Sequence, residues 1–457
     1  MREILQRALS LDSSEGYADI RYEETTITSV RYSGKELVDI GSSRVVGGQA
    51  RALIGGGWGA MSFNEIERAA ESLERAARSA RVVARHVKEP DKMAPVETVV
   101  DTVRVNPSED PRLVDLEEKR QLIWEYNQIL LGSPHIQSTD VSYLEIASRK
   151  YFANNEGTFI DQEQLLVFAR IGAVARRGDL TQRRFIALGG TDDLALLRGR
   201  EEEVEAVARE AGALLDAEPV EAGNYTVILD PSSAGVFVHE AFGHLSESDN
   251  LADNPRLKET MKLGRRFGGP HLNIVDDPSF SGHPGSYVYD DEGVRGRKTY
   301  LVREGILTGR LHSRQTAGKL GEEVTGNCRA KDFTHPPIVR MSNIFIEPGD
   351  ASLEEMMASI DDGLLLIGAA GGQTSGEMFT FGVQLGYRIK KGKSEAMVRD
   401  IVLSGNLFTT LANISMVGEE LIMNRAGGCG KKGQIIYASG SGSPYIKIDS
   451  LTIGGRK

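Results

Sequence analysis

The stretch DPSSAGVFVHEAFGHLSES, residues 230–248, constrains the local fold more tightly than any other part of the chain. Asp230 stands where a helix N-cap is wanted and Pro231 at the first helical position, so a helix is predicted to run through His239, Glu240 and His244. A histidine–glutamate pair followed by a second histidine is a metal-site pattern, but in its usual form the histidines are four apart and share one helical face. Here they are five apart. On an ideal α-helix five residues advance roughly 500°, which leaves the imidazoles about 140° apart, against about 40° for four. Sharing one ion therefore demands a helix that is locally underwound by a π-type turn or a kink, a feature often found at functional sites. Gly243, just before His244, is where a helix deforms most easily. The alternative is a regular helix whose histidines hydrogen-bond core groups.

A catalytic zinc site takes three protein ligands and leaves one position for water. His239 and His244 supply two, and a third must come from elsewhere: Cys429, Glu247, Asp249, the Asp290–Asp291–Glu292 run, His283 and His335 are the candidates. Cys429 lies in NRAGGCGKKGQ (424–434), between glycines that let backbone approach closely. A thiolate is a strong soft ligand for zinc, although a lone cysteine is also a common buried, inert thiol. Cys328, in the polar stretch EEVTGNCRAKDF, has no neighbouring ligands and is read as structural. Lys393–Ser394 after Gly392 looks like the tail of a phosphate-binding loop, but Tyr387 stands where that pattern needs glycine.

A net charge of −11 argues against a broad nucleic-acid footprint, which needs clustered Lys and Arg. Two widely separated cysteines do not form a disulfide framework and point to a reducing compartment. The N-terminus, MREILQRALSL, is charged throughout and lacks a signal-peptide core. The most apolar run, GLLLIGAAGG (363–372), is too short and too glycine-rich to span a bilayer. A cytoplasmic chain without membrane or direct nucleic-acid contact is expected.

At 457 residues, two or more domains are expected. Met1–Leu11 carries Ile4, Leu5, Ala8 and Leu9 at helical spacing. Residues 17–62 alternate and are rich in β-formers, which predicts an antiparallel meander, and 64–86 predict a helix that Asn64 could cap. Helical pattern, strands and helix then recur at 111–132, 136–188 and 200–218, so duplicated helix–sheet–helix units over 1–90 and 110–218 are expected. The stretch 216–223 reads as a junction between an N-terminal α+β domain (1–218) and a strand-rich, mixed α+β catalytic domain (219–457). In the latter, 224–230 predict a strand, 300–311 and 381–405 hairpins, and 352–360 a short helix. GAAGGQTSGE (368–377) reads as a flexible surface turn, or else a loop flanking substrate.

Several stretches together resemble the TldD/PmbA family, also called modulators of DNA gyrase, in its TldD-like peptidase branch. They are YADIRYEE, GGWGAMSFN, NNEGTFIDQ, HEAFGHLSESD, YDDEGVRGRKTYLV, TGNCRA with PPIVRMSN, GAAGGQTSG with FTFGVQLGYRI, and GGCGKKGQ, which span nearly the whole chain. The resemblance implies one Zn2+ bound by His239, His244 and Cys429, with Glu240 as the catalytic carboxylate. It also implies small or unfolded peptides as substrates, held as an added strand in a cavity. A dimer is implied too, either with itself or with a PmbA (TldE)-like paralogue that lacks the histidine motif. Glu240 would accept a proton from water and pass it to the leaving amine. His335, Arg340, Glu247 and Asp291 are candidates for contacting the substrate, its oxyanion or the ligands. Two rivals stand beside this reading: a scaffold protein with a structural zinc, and a hydrolase of non-peptide amides.

Overall fold

The computed structural model describes residues 1–9, 15–251 and 254–454. The fold is α+β, with antiparallel pairing dominant. The first 213 residues form α1 (Arg2–Ala8), β1 (Tyr17–Ser33), β2 (Glu36–Ile54), β3 (Gly57–Phe63), α2 (Ala69–Ala84), β4 (Val100–Val103), α3 (Leu116–Leu131), β5 (Ile136–Asn154), β6 (Phe159–Arg177), β7 (Leu180–Thr191) and α4 (Glu201–Ala213). Residues 10 and 11, the end of the helix expected over Met1–Leu11, lie outside the described residues. Asn64 does not cap α2: its side-chain amide donates to the Val46 carbonyl at 3.1 Å, and a 3₁₀ turn, Ile66–Arg68, leads into the helix instead.

These strands make one sheet in the order β3-β2-β1-β5-β6, with β4 and β7 both paired to β6. The central pair, β1 and β5, runs antiparallel from Asp19↔Asn154 to Ser33↔Asp140. Outward from that pair each side repeats the same succession, a helix, three strands, then a helix. Alternation along the long strands gives the sheet two distinct faces. Leu5, Leu73, Ala76 and Ala80 of α1 and α2 pack on Ile20 and Ala52. Ile123, Tyr126 and Leu130 of α3 and Val204, Val207 and Ala211 of α4 pack on Val141, Val167 and Ile171.

β8 (Glu218–Pro219) and β9 (Gly223–Leu229) lead into the C-terminal half. β9 pairs with Asp362–Ser375 in parallel and with Ile446–Gly454 antiparallel. Ile401–Asn406 and Met378–Lys390 complete a closed ring of five strands with them. A second, six-stranded sheet contains Ile274–Asp276, Asn343–Ile346 and Gly440–Ser443. Between ring and sheet lies α5 (Pro231–Val238), whose Phe237 and Val238 belong to the largest buried core. Gly235 permits this close packing, because a Cβ there would sit 3.0 Å from the Gly442 backbone.

The hairpins expected over 300–311 and 381–405 and the helix over 352–360 form, the last as Leu353–Ala358 with a Ser352–Glu355 capping box. The surface turn expected over 368–377 does not. Most of it continues the strand Asp362–Ser375, because Gly372, Gln373 and Thr374 pair with Phe381, Thr380 and Phe379 beyond a bulge. Among the described residues, no helix is long and apolar enough to cross a membrane.

Candidate metal centre

Asp230 caps α5 as its position suggests, accepting from the Ser233 amide at 2.9 Å. The helix then changes pitch: His239–Gly243 form a π turn. An i→i+5 turn brings residues five apart nearly into line. The imidazoles of His239 and His244 accordingly face each other, 5.3 Å between centroids and 88° between planes. Gly243 has ordinary helical dihedrals (φ −57°, ψ −51°). Its value is space, since a Cβ would stand 2.0 Å from the Met341 sulfur and 2.9 Å from Ile344 Cδ1.

Cys429 arrives from the far end of the chain on a hairpin, Cys429–Lys431 paired with Gln434–Ile436. Lys432 (φ 47°) and Gly433 (φ 77°) turn it in the left-handed region, which suits a two-residue hairpin loop. The donor atoms of His239, His244 and Cys429 all lie within 4.8 Å of one another. Among the described residues this is the one such group of three or more His, Cys, Asp or Glu side chains. His239 Nε2 is buried and has no protein partner, as expected of an atom whose lone pair is reserved for an ion. His244 Nε2 lies 3.5 Å from the Cys429 sulfur, and its Nδ1 lies 3.0 Å from Glu247 Oε2.

Burial opposes charge on both partners of that close pair, yet each stabilises the other. Burial would lower His244, but the Cys429 sulfur and the Glu247 carboxylate hold its proton and raise its pKa to about 10. Burial would raise Cys429, but His239 and His244 bring it down to about 5. The pair is thus electrostatically suited to a cation shared by a thiolate and two imidazoles. Two nitrogens and one sulfur at this separation fit a tetrahedral zinc with one position left over.

His239 and Glu240 line a cavity of about 920 Å³. Leu144, Phe168 and Arg170 of the N-terminal sheet form one wall, and Gly368–Gly372 form part of the other. The Glu240 carbonyl accepts from Thr374 Oγ1 at 2.9 Å, tying the π turn to this glycine-rich strand.

Of the remaining candidates, Arg340 and Glu247 contact Cys429 and His244, and the others lie away from the three donors. Arg340 is 1% exposed and donates to the carbonyls of Cys429 (2.5 Å) and Gln434 (3.2 Å), so it braces the cysteine hairpin rather than reaching a substrate oxyanion. Glu247 holds His244 rather than lining the cavity. His335 bonds Asp332 and Thr334, and Arg21 takes its carbonyl. Asp291 pairs with Lys150 (3.2 Å) and Arg21 (3.6 Å) at the junction with the N-terminal sheet. Neither His335 nor Asp291 joins the three donors. The carboxylates of Asp290 and Glu292 are also spent there, on backbone amides and an arginine, and His283 packs at a tilt against Phe280. Lys431 escaped sequence reasoning, although a residue two beyond Cys429 in a strand must share its face.

Comparison with known proteins places the chain in a family. Residues 222–455 match the PmbA/TldA metallopeptidase C-terminal domain, 18–84 match domain 1 and 109–217 match the central domain. A metalloprotease of Synechocystis is 38% identical over 97% of this chain and 96% of its own length. A zinc metalloprotease TldD homolog of Saccharolobus solfataricus is 32% identical over 100% of both chains. TldE from Thermococcus kodakarensis shares the fold (TM-score 0.77, 18% identity, 100% of both chains). So does a protein of Thermotoga maritima described as a modulator of a DNA gyrase (TM-score 0.79, 21% identity, 99% of this chain and 100% of that one). With three successive domain matches and full-length relatives above 30% identity, the chain belongs to the PmbA/TldD family and is a metallopeptidase.

Proposed function

We propose that this metallopeptidase is zinc-dependent and hydrolyses small or unfolded peptides, with His239, His244 and Cys429 as ligands and Glu240 as the proton acceptor. The observation that carries this reading is the convergence of three donors beside a cavity that Glu240 also lines. A purely structural zinc calls for four protein ligands, and three converge among the described residues.

When bound, zinc supplies Lewis acidity and lets a water lose its proton near neutral pH. Glu240 takes that proton at a carboxylate oxygen and later delivers it to the leaving amine. Glu247 accepts from His244 Nδ1 and so leaves the Nε2 lone pair directed away from it, toward Cys429. β9 covers the strand Asp362–Ser375 only over Gly363–Leu366. Beyond that point the exposed Ala370 and Gly371 can offer main-chain groups to an extended peptide. A cavity of this size admits a peptide segment and excludes a folded domain. Both cysteines are unpaired, which fits a reducing, cytoplasmic setting. The working form we propose is a dimer, with itself or with a paralogue lacking the histidine pair.

The test is peptide-digest mass spectrometry together with metal analysis. Glu240→Ala is expected to keep its zinc and lose cleavage by about 10³-fold or more, and peptide cleavage at the wild-type rate would remove Glu240 from the mechanism. Cys429→Ser is expected to lose most of its zinc, and unchanged zinc content would remove the third ligand.

A further inference from the structure

Two residues past Cys429, Lys431 carries its ammonium into the protein, where its side chain is 7% exposed. A lysine is rarely buried unless it is fully paired, and this one is. Nζ donates to Asp249 Oδ1 at 2.5 Å and to the Val339 carbonyl at 2.8 Å, and forms an ion pair with Glu247 Oε2 at 3.0 Å. Glu247 is 0% exposed, and the same Oε2 also takes the His244 Nδ1 contact at 3.0 Å. Its other oxygen, Oε1, is buried with no protein partner. The Glu247 carboxylate is therefore shared between Lys431 and His244, and the orientation of His244 depends on Glu247.

We propose that Lys431 is a positioning residue that latches the cysteine hairpin to the histidine helix. The connection closes a loop: Cys429 leads to Lys431 through the hairpin, Lys431 to Glu247 by an ion pair, and Glu247 to His244 by a hydrogen bond. His244 then faces the Cys429 sulfur. The backbone brings Cys429 across 185 positions of sequence to reach His244, and only Gly430 separates it from Lys431 on the near strand of the hairpin. Arg340 fixes the hairpin's carbonyls from one side and Gln434 and Ile436 anchor its far strand, while Lys431 ties the near strand to Glu247 beside His244. Lys432, the next residue, also meets Asp249 (3.0 Å), but it is 53% exposed and does not touch Glu247.

The inference rests on the assignment of Cys429 and His244 as ligands, and its test separates the two. Zinc affinity is measured by competition with a chromophoric chelator, and Co2+ is substituted to read the sulfur-to-metal charge-transfer band. Lys431→Met is expected to bind zinc about tenfold or more weakly and to show an altered band, while Lys432→Met matches wild type in both. A Lys431→Met protein with lower thermal stability but wild-type zinc affinity and spectrum would reduce Lys431 to a merely structural role and overturn the proposal. If Lys431→Met does not fold, Asp249→Asn removes one of the two carboxylates on Nζ and leaves the ammonium paired with Glu247. It is expected to weaken zinc several-fold, and wild-type affinity there overturns the latch. A wild-type protein without a sulfur-to-cobalt band overturns the ligand assignment itself.

Discussion

His239 and His244 are joined by one residue more than an α-turn can align, and the chain absorbs the surplus in a π turn rather than a break. What holds that turn is packing at Gly243, where Met341 and Ile344 occupy the space a side chain would need. Gly243→Ala is expected to destabilise the protein by about 1–3 kcal/mol through overpacking, to be read from urea unfolding, and to lower zinc content because the His239–His244 alignment shifts. A variant that melted and bound metal like wild type would show that Met341 simply swings aside. The alignment problem was visible in the sequence because helix geometry is local. Its solution was only half visible: glycine was anticipated as a flexible point, whereas it serves as a gap, which depends on neighbours a hundred residues away.

At the scale of elements, what was legible followed from short-range rules. Asp230 and Pro231 announce a helix start, 300–311 a hairpin and 352–360 a short helix, and each forms. Asp230 does more than cap α5, because the same Oδ1 also accepts from the Gly368 amide at 3.1 Å, joining the helix start to the strand beside the cavity. Asp230→Ala is expected to cost about 1–2 kcal/mol in urea unfolding. Asp230→Asn, which keeps an acceptor oxygen, is expected to recover most of that loss, and equal losses in the two would show that the charge, not the acceptor, matters. The glycine-rich run 368–377 misled because composition resembles a turn while strand identity is conferred by Phe379–Phe381, a partner no local pattern names. Likewise nothing local tells that Asp290 and Glu292 spend their oxygens on the Cys328 and Arg314 amides rather than on an ion.

For the whole molecule, the junction between the N-terminal sheet and the segment around 290–335 is a buried polar seam. Arg51 makes paired bonds to Asp19 and lies 3.6 Å from Glu292, Arg314 pairs with Glu156, and the Phe333 amide meets Glu23. Burial opposes the Asp291 carboxylate, but Lys150 and Arg21 outweigh it and hold its pKa near 2. A carboxyl depressed in the folded state lends stability above its unfolded value, near 3.9, and withdraws it as pH falls toward 2. The stability gap between wild type and Asp291→Asn is therefore expected to narrow by about 1 kcal/mol from pH 5 to pH 3, measured by urea titration at both values. A gap constant over that range would mean that Asp291 titrates normally.

The sheet also reaches past this seam. Leu166 and Phe168 pack against Ile436 and Ala438, so the N-terminal wall of the cavity leans directly on the far strand of the hairpin that carries Cys429. With Cys429 as the proposed third ligand, a segment seated between wall and helix would press on the hairpin that carries that donor, and a bound ion would limit how far the wall can yield. Such a coupling would be reciprocal: a ligand in the groove would change metal affinity by the factor by which the metal changes affinity in the groove. Substitutions at Phe168, remote in sequence from every donor, are then a route by which both substrate fit and metal affinity drift together.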